Sequence, residues 1–139
     1  MSYLFVEKTK VFTVPKQPEV GPRILVIEPE TDFLNLIHHV LVRENFDVKS
    51  LLILENFSEI VRQHNPEVVV ISTKLLKHTE FRLFRQSPEF ASIKLISIGD
   101  SSEHEELRNV LNTGFSGHLD RKFSQPKDLI NLINCLLIF

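Results

Sequence analysis

The sequence has little of what reactive, secreted or membrane-spanning proteins depend on. Its single cysteine, Cys135, excludes an internal disulfide, and such sparing use of thiols fits a reducing cytosol. There is no excess of positive charge: 16 Lys and Arg face 18 Asp and Glu, for a formal net charge of -2. Nothing therefore drives the chain onto a phosphate backbone, and no cluster of basic residues interleaves with the phenylalanines. No apolar run approaches the roughly 20 residues that a membrane-crossing helix requires. The first ten residues, MSYLFVEKTK, lack the charged start and apolar stretch of a secretory signal. A glycine-rich phosphate loop, a G-x-S-x-G elbow, a C-x-x-C pair, internal repeats and low-complexity tracts are all missing. The six histidines carry no recognisable metal-ligand spacing; His38 and His39 are adjacent, so on a helix they point about 100° apart. These absences predict a cytoplasmic protein with no cofactor, no bound metal, no nucleic-acid partner and no membrane partner.

What is present is the make-up of one ordinary globular domain. The 139 residues are 42% apolar and 24% charged, enough to bury a core without disulfides or metal. Residues 1–22 stand apart as an N-terminal extension. Two β-prone runs, Tyr3–Leu4–Phe5–Val6 and Val11–Phe12–Thr13–Val14, flank Glu7–Lys8–Thr9–Lys10, and Pro15, Pro18, Gly21 and Pro22 supply linker chemistry. Two readings stay open: a disordered tail, or a strand or hairpin that docks on the domain or on a partner's sheet edge.

Residues 23–139 alternate between strand and helix signals. Residues 23–27 are dominated by a short apolar run, as a strand buried on both faces should be. In residues 31–44, Phe33, Leu34, Ile37, Val40 and Leu41 recur at helical spacing. Residues 46–52 form a second strand, and Asn56 with Glu59 predicts a capped helix ending at Asn65–Pro66. Val68–Val69–Val70–Ile71 is the clearest central strand, followed by a short helix over 77–86 with Phe81 and Phe84 inward, and a strand over 93–98. Ser102 and Glu105 form a capping box, Leu107, Val110 and Leu111 a stripe, and Gly114 a helix-ending glycine. A strand over 115–119 and a helix from Ser124–Gln125–Pro126 to Phe139 complete the pattern. Five such repeats predict an α/β fold: a flavodoxin-like three-layer sandwich around a five-stranded parallel sheet of order 2-1-3-4-5. Sites in that fold lie just beyond the carboxyl ends of the strands, here after Ile27, Ile71, Ile98 and Leu119.

Several of these segments resemble the receiver domains of bacterial response regulators. Val26–Ile27–Glu28–Pro29–Glu30 is similar to a V-V-D-D-E run, and Asn65–Pro66–Glu67–Val68–Val69–Val70–Ile71–Ser72 to x-P-D-L-V-L-L-D. Thr113–Gly114 matches an A-G pair, and His118–Leu119–Asp120–Arg121–Lys122–Phe123 a Y-L-T-K-P-F run. The resemblance spans residues 23–139 and implies a two-component or phosphorelay module. In that chemistry two acidic residues hold Mg²⁺, an aspartate takes the phosphoryl group, and a hydroxyl and a lysine read its oxygens.

Position by position, the resemblance implies a pocket that has lost this chemistry. Glu28 keeps one acidic group, Pro29 occupies the second, and Ser72 stands where the aspartate would be. Gly99 takes the hydroxyl position (Ser97 if the alignment slips), Arg121 replaces the lysine, and His118 stands at the switch aromatic. An ion pair between Glu28 and Arg121 is expected across the old pocket. The resulting expectation is a non-enzymatic, phosphorylation-independent signalling module acting by protein–protein contact. The alternative is a receiver-like domain regulated by a small anion near Arg121 or by an unconventional modification, such as phosphorylation of Ser72. The last helix is apolar beyond the stripe a sheet-covering helix needs, so Leu132, Leu136, Leu137 and Phe139 are the expected interaction surface. A protein partner or a second copy would dock on the face of the last two helices, with His118 able to add pH sensitivity.

Overall fold

The computed structural model describes residues 21–100, 108, 114–122 and 124–138. Strand β1 (Arg23–Ile27) leads to helix α1 (Thr31–Arg43), β2 (Asp47–Leu51), α2 (Phe57–His64) and β3 (Val68–Ser72). A 3₁₀ turn at Thr73–Leu75 precedes α3 (Thr79–Gln86), and a second at Pro88–Phe90 precedes β4 (Lys94–Gly99). Then follow β5 (Gly117–Asp120) and the last described helix, α4 (Pro126–Ile138). All pairings are parallel and the strand order is β2-β1-β3-β4-β5, the topology the alternating pattern predicts. Most of residues 1–22, the stripe of Leu107, Val110 and Leu111 with its capping box, and Phe139 lie outside the described residues.

The strands sort their side chains by the period of two that a pleated chain imposes. Leu25, Ile27, Val69, Ile71 and Leu95 point to the face covered by α2 and α3, where they meet Phe57, Val61, Phe81, Phe84 and Phe90. Ile24, Val26, Val68, Val70, Ile96 and Ile98 point to the other face and meet Leu34, Ile37 and Leu41 of α1 and Leu129 and Ile133 of α4. The first face is built on phenylalanines: the Phe57 and Phe84 rings lie edge to face at 4.9 Å, and Phe84 and Phe90 stack at 5.0 Å.

Two local expectations are corrected. Asn56 does precede α2, but it sits in the left-handed region at φ 57° and its side chain makes no capping bond. The Phe57 N–H instead donates to Leu54 O at 3.0 Å, so a backbone turn starts the helix, and Asn supplies a residue tolerant of that conformation. The fifth strand begins at Gly117, two residues later than expected, because Phe115 leaves the sheet to join the phenylalanine cluster 6.1 Å from Phe81. Gly114 has φ 81°, the conformation expected of it.

Candidate functional site

The carboxyl ends of β1, β3, β4 and β5 bring together the residues that the sequence singles out. Glu28 directly follows β1 and is 3% exposed. Its N–H donates to Leu51 O at 3.0 Å, and its carboxylate Oε2 accepts the Glu30 N–H at 2.8 Å. The carboxylate thus closes the turn into α1 at the end of the helix where negative charge is favoured. Pro29 is exposed and offers no side-chain ligand.

Ser72 ends β3 and is buried. Its Oγ accepts the Lys74 N–H at 3.2 Å, so the hydroxyl works as the cap of the Thr73–Leu75 turn. Beside it Thr73, 2% exposed, packs on Gly99 at the end of β4. A Cβ built on Gly99 would stand 1.9 Å from Thr73 Oγ1 and 2.7 Å from its Cγ2. The Thr73 side chain therefore fills the space that a serine or threonine at position 99 would use. Nothing in the sequence marks Thr73; the contact joins β3 and β4 and exists only once the sheet has formed. Ser97 is not at this position: it is fully buried two register pairs back, hydrogen-bonded to His118 Nδ1 at 2.6 Å.

Arg121 follows β5, its N–H donating to Gly99 O at 2.9 Å. Its guanidinium is ion-paired with Glu30 and lies over the Phe33 ring, 4.2 Å from the centroid. This corrects the expected Glu28–Arg121 pair. Glu28 is drawn inward by the Glu30 N–H, whereas Glu30 stands half exposed at the start of α1. Phe33, three residues on and so on the same helix face, adds a ring that holds the cation by its quadrupole. The arginine thus leans toward α1. It lines a mainly apolar cleft of about 150 Å³ between α1 and α4, together with Phe33, Leu36, Leu119 and Leu129.

The chemistry open to this arrangement is narrow. The strand ends hold one buried carboxylate, a hydroxyl engaged as a cap, a threonine packed on a glycine, and an arginine already paired. Among the described residues, no three or more His, Cys, Asp or Glu side chains group in a way that could hold a metal ion.

Leu132, Leu136 and Leu137 are half-buried and pack against the core on the α1 side. Leu132 rests on Gly117, whose missing side chain lets α4 approach the edge strand: a Cβ there would stand 2.8 Å from Leu132 Cδ2. Much of the apolar excess of α4 thus covers its own sheet, and it is Ile138, 77% exposed, that stands clear. Leu136 and Leu137 also border a groove of about 470 Å³ at the opposite, amino-terminal ends of the strands, with Val61, Phe90, Arg62 and Lys94. There Arg62 and Glu89 form a forked ion pair at 2.7–3.2 Å. The guanidinium beside it holds the Glu89 carboxyl below its usual range.

No protein-family model and no curated protein matches the chain. Solved structures do match. A response regulator from Desulfuromonas acetoxidans aligns over 84% of this chain and 97% of its own, with a TM-score of 0.72 and 18% identity. An orphan response regulator of H. pylori aligns over 86% and 99%, with a TM-score of 0.70 and 21% identity. An atypical orphan response regulator, described as revealing a phosphorylation-independent regulatory mechanism, aligns over 84% and 96%, with a TM-score of 0.69 and 21% identity. The chain has the fold of response regulator receiver domains. No helix among the described residues is long and apolar enough to cross a membrane.

Proposed function

We propose that this chain is a receiver-like signalling module that works without phosphorylation and without a catalytic step of its own, through protein–protein contact in the bacterial cytoplasm. The observation that carries the reading is Ser72. The residue at the acceptor position is a buried hydroxyl already used to cap the Thr73–Leu75 turn, and it cannot form an acyl phosphate. Its surroundings agree: Pro29 supplies no second metal ligand, and Thr73 occupies the space beside Gly99. Two of the similar folds are orphan regulators, and one is described as phosphorylation-independent, which supports the same reading. The face of α4, with the half-buried Leu132, Leu136 and Leu137 and the exposed Ile138, is the surface proposed for a partner or a second copy.

Regulation by a small anion at Arg121 is the weaker reading, because an anion would have to displace Glu30 from the guanidinium. Incubation of the chain with a small phosphodonor and Mg²⁺, followed by intact-mass measurement, tests the main one. The expected result is unchanged mass; a stoichiometric, hydroxylamine-labile phosphoryl adduct overturns the proposal.

A further inference from the structure

We propose that the free edge of β2 is covered by the chain's own amino-terminal run Val11–Phe12–Thr13–Val14, added as an antiparallel sixth strand. In a parallel pair the backbone groups of alternate residues point to the same neighbour. The Asp47 N–H donates to Pro22 O, and Leu51 O accepts the Glu28 N–H, so Asp47, Lys49 and Leu51 turn their backbones toward β1. The N–H and C=O groups of Val48 and Ser50 are left pointing away from the sheet, on a side where no described strand pairs. An open edge of this kind is a template for another strand. At its upper end Leu52 and Ile53 are 42% and 61% exposed, two of the large apolar side chains that the described structure leaves uncovered.

The chain itself arrives at this edge. The Gly21 N–H donates to Asn45 O at 2.7 Å, just before β2 begins, so the preceding residues start beside the lower end of β2. Residues 15–20 separate Val14 from Gly21, and the seven steps between these two residues reach at most about 25 Å. The position outside β2 is two strand spacings from β1, about 10 Å, well within that reach. The position outside β5, the other edge, is four spacings away, about 19 Å, and would use most of the link's reach. A strand leading down to Gly21 must run against β2, which fixes it as antiparallel. Pro15 and Pro18 lie in the link, where a missing N–H breaks no ladder. Lys49 stands exposed on β2 and discourages strands of other molecules, which favours an occupant tethered to the same chain.

Hydrogen exchange on the intact chain tests this directly. The Val48 and Ser50 amides, and the alternate amides within 11–14 that face β2, should exchange on the order of tenfold or more slowly than in an open chain, at every protein concentration. Of Phe12→Pro and Thr13→Pro, one removes a donor that faces β2, and in that variant the Val48 and Ser50 amides should speed up while those of β3 stay slow. Unprotected amides at 11–14 overturn the proposal, as does protection that rises with concentration alongside a doubled mass. Protection at 11–14 with β2 unmoved by both proline variants also overturns it, because the segment would then dock elsewhere.

Discussion

At the scale of single residues, the site is defined by a side chain that fills the space beside a glycine. Thr73 and Gly99 are complementary: the glycine has no Cβ because the threonine is already there. Gly99→Ala should therefore destabilise the chain by about 1–3 kcal/mol, the usual cost of overpacking. Thr73→Ala removes the two nearest atoms and should recover part of that loss, which denaturant unfolding of the single and double variants would read. A Gly99→Ala chain as stable as the original would show that the two strands are not so closely apposed. The placement of Glu28, Pro29, Ser72, Gly99 and Arg121 at or just beyond strand ends is legible in the sequence, because the strands themselves are recognisable. The partners of these residues are not. Glu30 takes Arg121 because the Glu28 carboxylate is used by the Glu30 N–H, a contact that depends on how the chain turns after β1.

A second prediction at this scale concerns Glu89. Arg62 lowers the carboxyl's pKa through hydrogen bonding and charge. A carboxyl depressed in the folded state stabilises it above the unfolded group's ordinary range. That contribution fades as pH falls through the folded value. The pair is exposed, so its effect on stability is small and the titration itself is the better reading. An NMR titration should place the Glu89 midpoint below the ordinary value of 4.5, and Arg62→Gln should return it toward that value. Equal midpoints in the two chains would remove the ion pair from the account.

At the scale of elements, the fold follows from periodicity. The run Val68–Val69–Val70–Ile71 is apolar at every position because helices cover both faces of the strand, and this is why β3 is readable without any structure. Helix α1 is readable for the complementary reason, since its Leu34, Ile37 and Leu41 fall on one face. Less legible are the places where tertiary contact outweighs local preference. Phe115 looks like strand by its residue type, yet it joins the phenylalanine cluster, with Arg85 over its ring at 5.2 Å. The apolar surplus of α4 is likewise partly internal, since Gly117 admits Leu132. The cluster itself holds α2, α3 and the β4 approach together. Phe81 is fully buried among Phe57, Phe84 and Phe115, so Phe81→Ala should cost about 3–5 kcal/mol in chemical denaturation. A loss below about 1 kcal/mol would mean that the rings repack freely.

At the scale of the whole molecule, the proposal is that the scaffold has been kept without the chemistry. Sheet order and two-sided core are those of the receiver-domain fold, while Glu28 and Ser72 at the strand ends serve as caps of the turns that follow. The proposed consequence is a domain held in one state, whose output depends on what it meets. The most direct test is an amide NMR spectrum of the chain recorded with and without Mg²⁺ and beryllium fluoride, a mimic of the phosphoryl group. A pocket closed by these contacts predicts that the resonances of Ser72, Thr73, Gly99 and Arg121 stay in place. Saturable shifts at those residues, spreading to β5 and α4, would contradict it.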